Sequence, residues 1–224
     1  MRAALRTRYW GMPHHRLTTQ TIDDEPALRA LIGSPAALVQ AKIIPKLNSI
    51  TRKWVERSPF VALATSDAAG HCDVSPRGGA PGFVRILDEA TLLLPERPGN
   101  RIADSLRNIL HNPRVGLLFV IPGVGDTFRV NGRATLTTDA ELLAPSAVED
   151  KPPKLGILID IETTFSHCSK AFIRSELWDP ARHVDRSELP TSGEMHRAIQ
   201  GEGFDAAAHD AERAARYARR EGFY

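Results

Sequence analysis

The spacing of apolar residues changes period twice along the chain. It is helical up to about residue 58, two-residue from Phe60 to Thr163, and helical again towards the end. In the first segment Asp24 is placed to cap a helix with the apolar face Ala27, Leu28, Leu31 and Ile32, and Gly33 is its stop. Ser34-Pro35 starts a second helix through Leu38 and Val39 that ends before Pro45. Leu47, Ile50, Trp54 and Val55 predict a third, closed by Ser58-Pro59.

Alternation then takes over. Residues 60–65 and 71–75 read as a hairpin around a turn at 67–70, and 82–87 and 91–94 as two further short strands. A helix is predicted over 101–110, stopped by Asn112-Pro113. The almost continuous apolar run 114–121 predicts a strand buried on both faces. Over 127–137, Phe128, Val130, Ala134 and Leu136 share one face. Arg129, Asn131, Arg133 and Thr135 share the other, with Gly132 a candidate bulge. A short helix at 139–148, a Lys151-Pro152-Pro153-Lys154 connector and a strand at 155–163 follow. The last segment is helical at 167–175, with Thr164 or Ser166 as cap, and again at 194–200 and 205–221. Six or seven antiparallel strands joined by short turns, with one inserted helix, favour a small barrel over a parallel sheet.

Composition narrows this picture. Hydrophobic residues make up 42% of 224 and charged residues 25%, the profile of an ordinary globular domain. A net charge of +2 gives no support to nucleic acid or an anionic membrane as partner, and no apolar run has membrane-spanning length. Two cysteines without a CxxC pair suit a reduced, cytoplasmic compartment. The basic first ten residues lack a following apolar stretch and read as a tail rather than a secretory signal.

Three constellations carry candidate chemistry. Val74-Ser75-Pro76-Arg77-Gly78-Gly79 ends a strand, and its glycines permit close approach of a flat ligand. Leu94-Pro95-Glu96-Arg97-Pro98-Gly99-Asn100-Arg101 opens a helix. With Asn100 as N-cap, Arg101 and Ser105 lie one turn apart near its positive end, a setting for a phosphate. In the 167–178 segment Lys170 and Arg174 share a helix face, with Trp178 a turn further on, which suits an anionic aromatic ligand. Each has an equally plain structural reading: a solvated helix face, a glycine-rich turn, a surface charge pair. Arg129, Asn131 and Arg133 are read in the same two ways, as cleft lining or as an edge-strand face. Adjacent His167 and Cys168 do not make a chelating pair, so no metal is expected, and Cys168 reads as a small buried hydrophobe. Gly123-Val124-Gly125 lacks the remainder of a dinucleotide loop, and no GxSxG element occurs.

With these residues in place the chain resembles the pyridoxamine 5′-phosphate oxidase-like, FMN-binding split-barrel family. The resemblance is carried by Phe60 to Thr65, Asp73 to Gly78, Pro95 to Arg101, Asp104-Ser105, Asn108-Ile109, Asn112 to Phe119 and Arg129 to Ala134. It covers about residues 45 to 180. It implies a mainly β protein with flanking helices, built on a six-stranded antiparallel Greek-key split barrel that forms a homodimer with FMN at the interface. The division implied is a helical extension at 1–58, the FMN-binding barrel at 59–180, and a helical tail at 181–224. The family's phosphate grip falls on Arg77, Arg97, Asn100, Arg101 and Ser105, with Ser75, Pro76 and Gly78 beside the flavin ring. Lys170, Arg174 and Trp178 close the site, from the same or the other subunit. The strand Cys72-Asp73-Val74-Ser75-Pro76-Arg77 departs from the Arg-x-Val-Leu-Leu-Lys type of true pyridoxamine phosphate oxidases, and their C-terminal Arg-Leu motif is not visible.

The function expected from this resemblance is FMN-dependent oxidation or reduction of a small molecule, with no protein residue assigned as catalytic. The alternatives are a non-catalytic flavin or haem carrier, with His71, His111 or His167 available to a haem iron, and a purely structural dimer.

Overall fold

The computed structural model describes residues 21–224, and the basic tail lies outside them. The chain forms two compact units, the first ending at Gln40 and the second spanning Ala41–Tyr224. In the first unit, helix α1 (Glu25–Ile32) begins where predicted. Asp24 Oδ1 accepts from the Ala27 amide at 2.7 Å, and Gly33 closes the helix at φ 75°. Its apolar face is not buried: Leu28, Leu31 and Ile32 are all exposed. Helix α2 (Ala37–Ala41) follows Pro35.

The second unit opens with helix α3 (Arg52–Arg57), which is shorter than its apolar spacing suggests. The Asn48 side-chain oxygen accepts from the amides of Ile50 and Thr51, so a side-chain turn replaces the first helical turn. Leu47 is nevertheless buried, whereas Ile50 is exposed.

The sheet that follows is antiparallel throughout. Its strands are β1 (Phe60–Ser66), β2 (Cys72–Gly78), β3 (Arg85–Ile86), β4 (Thr91–Pro95), β5 (Arg114–Val120), β6 (Thr127–Thr137) and β7 (Gly156–His167). Their order is β2-β1-β5-β6-β7-β4-β3. The mainly β architecture with flanking helices is therefore as expected. The strand count is seven, within the six or seven read from alternation but not the six the resemblance implies, because the 82–87 run still contributes the two-residue β3. Gly82 adopts φ 80°, and the Phe83 amide donates to the Ala80 carbonyl, which makes the start of that run a turn. β2 and β3 pair on one side only, so hydrogen bonds do not close the sheet into a barrel.

Strands from both ends of this order share one core. Val61, Leu63, Val115, Leu117, Phe119, Phe128 and Val130 meet Leu92, Leu94, Ile157 and Ile159, so the sheet curls around its own apolar face. Helix α4 (Asp104–His111) packs on β1, β2 and β6, with Ile109 buried against the core. The bulge expected at Gly132 is present: the β6–β7 register shifts between Asn131 and Gly132. A Cβ there would stand 2.1 Å from the Asp160 carbonyl oxygen.

One strand differs from its reading. β5 is buried on its inner face only. Gly116, Leu118 and Val120 on the other face are half-buried, which leaves an apolar outer sheet surface beside Ala62 and Ala64. The helix read over 139–148 is α5 (Ala140–Leu143) plus a 3-10 turn at Ala144–Ser146, because Pro145 cannot continue it. β7 runs on through Thr164 and Ser166 to His167, so neither residue caps a helix; α6 (Lys170–Ser175) starts later. Helices α7 (Ser192–Gln200) and α8 (Ala206–Ala218) pack as a pair. Among the described residues no helix is long and apolar enough to cross a membrane.

Candidate functional site

Strand β2, the loop after β4 and the start of α4 enclose a cavity of about 610 Å³. Ser75, Pro76, Arg77, Gly78, Arg97, Asn100, Arg101 and Ser105 all line it. Eight of the eleven residues expected at a cofactor site thus meet in one place. The reason is topological. β2 is an edge strand, and α4 packs across it, so the β2 residues face the loop that feeds the helix.

The local geometry of that loop corrects the sequence reading. α4 starts at Asp104, not Arg101. Asn100 makes a side-chain turn instead of a helix cap, its Oδ1 accepting from the Ile102 amide at 2.9 Å. Arg101 and Ala103 are both left-handed, with φ 61° and 59°, a conformation that costs a non-glycine residue about 1 kcal/mol or more. Arg101 therefore reaches the cavity from a strained loop rather than from a helix face. Ala103 offers no capping side chain, so the first amides of α4 are free to meet a ligand at the helix's positive end.

The charges are mixed. Arg77, Arg97 and Arg101 line the cavity with two carboxylates, Glu96 and Asp104. Arg77 Nη1 is 2.5 Å from Glu96 Oε2, and Arg77 Nε is buried without a partner. Arg97 donates from Nη2 to the Ser146 carbonyl at 2.6 Å, and the Tyr224 ring lies 5.3 Å from its guanidinium. Burial pushes the Arg97 pKa below the usual arginine value, and Tyr224 opposes this in part. Ser105 is buried, and its hydroxyl donates to Ser75 Oγ at 3.0 Å, tying helix to strand. A second tie lies behind it: Asn108 Nδ2 donates to Thr65 Oγ1 at 3.1 Å and to Asp73 Oδ2 at 3.0 Å.

Within one chain, Lys170, Arg174 and Trp178 do not join this group. Lys170 and Arg174 line a separate cavity of about 720 Å³ over the outer faces of β1, β5 and β6. Arg129, Asn131 and His167 border it as well, whereas Arg133 does not. Trp178 lies beyond the helix, past Glu176 at φ 50°; its Nε1 donates to the Val124 carbonyl at 3.0 Å and its ring stacks on Phe172. It anchors the chain rather than facing either cavity. Burial lowers the His167 pKa, and the charges of Arg129 and Lys42 lower it further, both favouring the neutral imidazole. Cys168 is exposed, contrary to its reading as a buried residue. Among the described residues no group of three or more His, Cys, Asp or Glu is placed to hold a metal ion.

Sequence reasoning passed over Glu96, Asp104 and Phe83 in the first cavity. Glu96 stood in a quoted motif beside Arg97, and Asp104 stood beside Ser105 one turn from Arg101, and those placements were the available signal. It also passed over the floor of the second cavity, Ala62, Ala64 and Leu118, whose alternation within an apolar strand pair was the corresponding clue.

Comparison with known proteins gives one family. The sequence profile described as pyridoxamine 5′-phosphate oxidase matches residues 49–168, just over half of the chain. No curated protein sequence matches. Among solved structures, HupZ of Group A Streptococcus is 21% identical over 54% of this chain and 93% of its own, with a TM-score of 0.45. An FMN-binding protein of Syntrophomonas wolfei is 13% identical over 53% of this chain and 84% of its own, with a TM-score of 0.42. HutZ, the haem storage protein of Vibrio cholerae, is 17% identical over 51% and 89%, with a TM-score of 0.36.

Proposed function

Because the chain belongs to the pyridoxamine 5′-phosphate oxidase family, we propose that it binds FMN and acts as an FMN-dependent oxidoreductase on a small molecule. The observation that carries this reading is the convergence of three arginines, two hydroxyls and the uncapped start of α4 on one cavity. That donor set fits a phosphate monoester, which accepts hydrogen bonds at several oxygens and carries close to two negative charges. The volume lies within the range of about 300–1,000 Å³ typical of small-ligand sites.

FMN supplies the redox chemistry when bound. The residues do the rest. Arg97 and Arg101 neutralise the phosphate, and Ser105 with the α4 amides fixes its orientation. Arg77 reaches from β2, and Pro76 and Gly78 give the ring a flat, nearly side-chain-free wall. A homodimer with the flavin site at its interface belongs to the same reading, as does a split barrel opened between the β2 and β3 edges. β2 is an edge strand with Val74 67% exposed, a surface suited to a second copy. Residues 59–180 form the binding unit in this proposal, and 181–224 are appended to it. A cytoplasmic location also belongs to it.

A second reading, a flavin or haem carrier without turnover, is favoured by one observation. His167 borders the second cavity, and its burial favours the neutral imidazole, the form that ligates a haem iron. His71 instead hydrogen-bonds Asp67, and His111 is exposed at the end of α4. Absorption spectra of protein titrated with FMN and with haem separate the ligands, and reduction of bound flavin by NADPH separates enzyme from carrier. Arg77→Ala with Arg101→Ala should release FMN; unchanged FMN affinity in that double variant would remove the proposed grip.

A further inference from the structure

The second cavity pairs an apolar floor with cations that have no acidic partners. Ala62, Ala64 and Leu118 form the floor, and Arg129, Lys170 and Arg174 stand at its border. No lining residue is acidic, in contrast to the first cavity with Glu96 and Asp104. Among the described residues, none of the three cations forms an ion pair. Arg129 is the most constrained. Its guanidinium lies 4.1 Å from the Phe165 ring centroid, and its Nε is buried with no hydrogen-bond partner. A cation with no acidic partner at the border of an apolar cavity favours a ligand that brings an acidic group to it. Burial lowers the His167 pKa first, and the nearby charges of Arg129 and Lys42 act in the same direction.

We infer that this cavity takes a flat, apolar small molecule bearing a carboxylate, sulfonate or phosphate group, with its apolar body on the Ala62–Ala64–Leu118 floor and its acid on Arg129, Lys170 and Arg174. The inference names the substrate class for the oxidoreductase and in that respect rests on the proposed function. It assigns Lys170 and Arg174 to the substrate rather than to the FMN phosphate. The apolar floor supplies affinity without selectivity, and the three cations select for acids.

The test compares two fluorescent probes that share an anilinonaphthalene-type ring system. One, 8-anilinonaphthalene-1-sulfonate, is anionic; the other, N-phenyl-1-naphthylamine, is neutral. The purified full-length protein should bind the anionic probe more tightly. The exposed pair Lys170→Gln with Arg174→Gln should weaken it about tenfold, the scale of lost charge-assisted hydrogen bonds, and leave the neutral probe unchanged. Arg129→Gln should act in the same direction. Equal affinity for the two probes, or an unchanged ratio in the Lys170–Arg174 variant, would overturn the inference. FMN titration of the same samples keeps the readings apart. Failure of the wild type to bind FMN with probe selectivity intact would sink the cofactor reading and support this cavity's. Loss of FMN affinity in the Lys170–Arg174 variant with the probe ratio unchanged would return those residues to the cofactor and overturn the inference.

Discussion

Arg77 and Glu96 form an ion pair inside the first cavity, Nη1 to Oε2 at 2.5 Å, with side chains only 18% and 20% exposed. The pair holds Arg77 in place from β2 and supplies a negative charge where an anion would sit. Both effects follow from one contact, and they oppose each other for phosphate affinity.

Removing the carboxylate while keeping the hydrogen-bond acceptor separates them. Glu96→Gln should tighten FMN binding by about three- to tenfold at low salt, the scale of one charge a few ångströms away in a partly screened site. The gain should shrink as salt is added. Fluorescence quenching of FMN on titration, at two ionic strengths, measures it.

Ser105 joins α4 to β2 through the Ser75 hydroxyl and is almost fully buried. Ser105→Ala should cost about 1 kcal/mol of stability, the typical net value of one hydrogen bond. It should also weaken FMN binding, because the same hydroxyl lines the cavity. Denaturant unfolding and FMN titration on one preparation read both effects.

The bulge at Gly132 predicts a purely structural effect. Gly132→Ala places a methyl group 2.1 Å from the Asp160 carbonyl oxygen, an atom held by the strand ladder. The β6–β7 pairing must shift, and the loss should be about 1–3 kcal/mol, as for other overpacked sites. Thermal unfolding monitored by circular dichroism would show the fall in Tm.

His167 gives stability a pH dependence. Its folded-state pKa lies below the unfolded value near 6.5, through burial first and then the charges of Arg129 and Lys42. The unfolded chain therefore takes up more protons as pH falls. The contribution is complete above about pH 6.5 and is lost as pH drops through the folded-state value. His167→Gln should flatten the acid side of a Tm-against-pH profile, with little change above about pH 7.5. An identical acid slope in the variant would place its origin elsewhere.

Much of the fold could be read from alternation, because a strand with one buried face writes its period into the sequence. β6 is the clearest case: its eleven residues, its two faces and its bulge were all legible. The start of α4 was not. Asn100 resembles a helix cap, but its side chain closes a local turn to Ile102, and two left-handed residues delay the helix by a turn. Local hydrogen bonds of this kind leave no periodic trace. The extent of burial was also hidden. The β5 run is apolar on both faces, yet its outer face is only half covered, and sequence does not record what covers an apolar surface. The lining of the first cavity was largely legible because its residues stand in two short motifs. The separation of Lys170 and Arg174 from those motifs depends on which sheet face each element meets, which only the three-dimensional arrangement displays.

The most direct measurement is the absorption spectrum and mass spectrum of the small molecule released from purified protein, followed by titration of the stripped protein with FMN. The account predicts a flavin band and saturable FMN binding that Arg77→Ala with Arg101→Ala abolishes. A colourless protein that shows no change on FMN titration would contradict it.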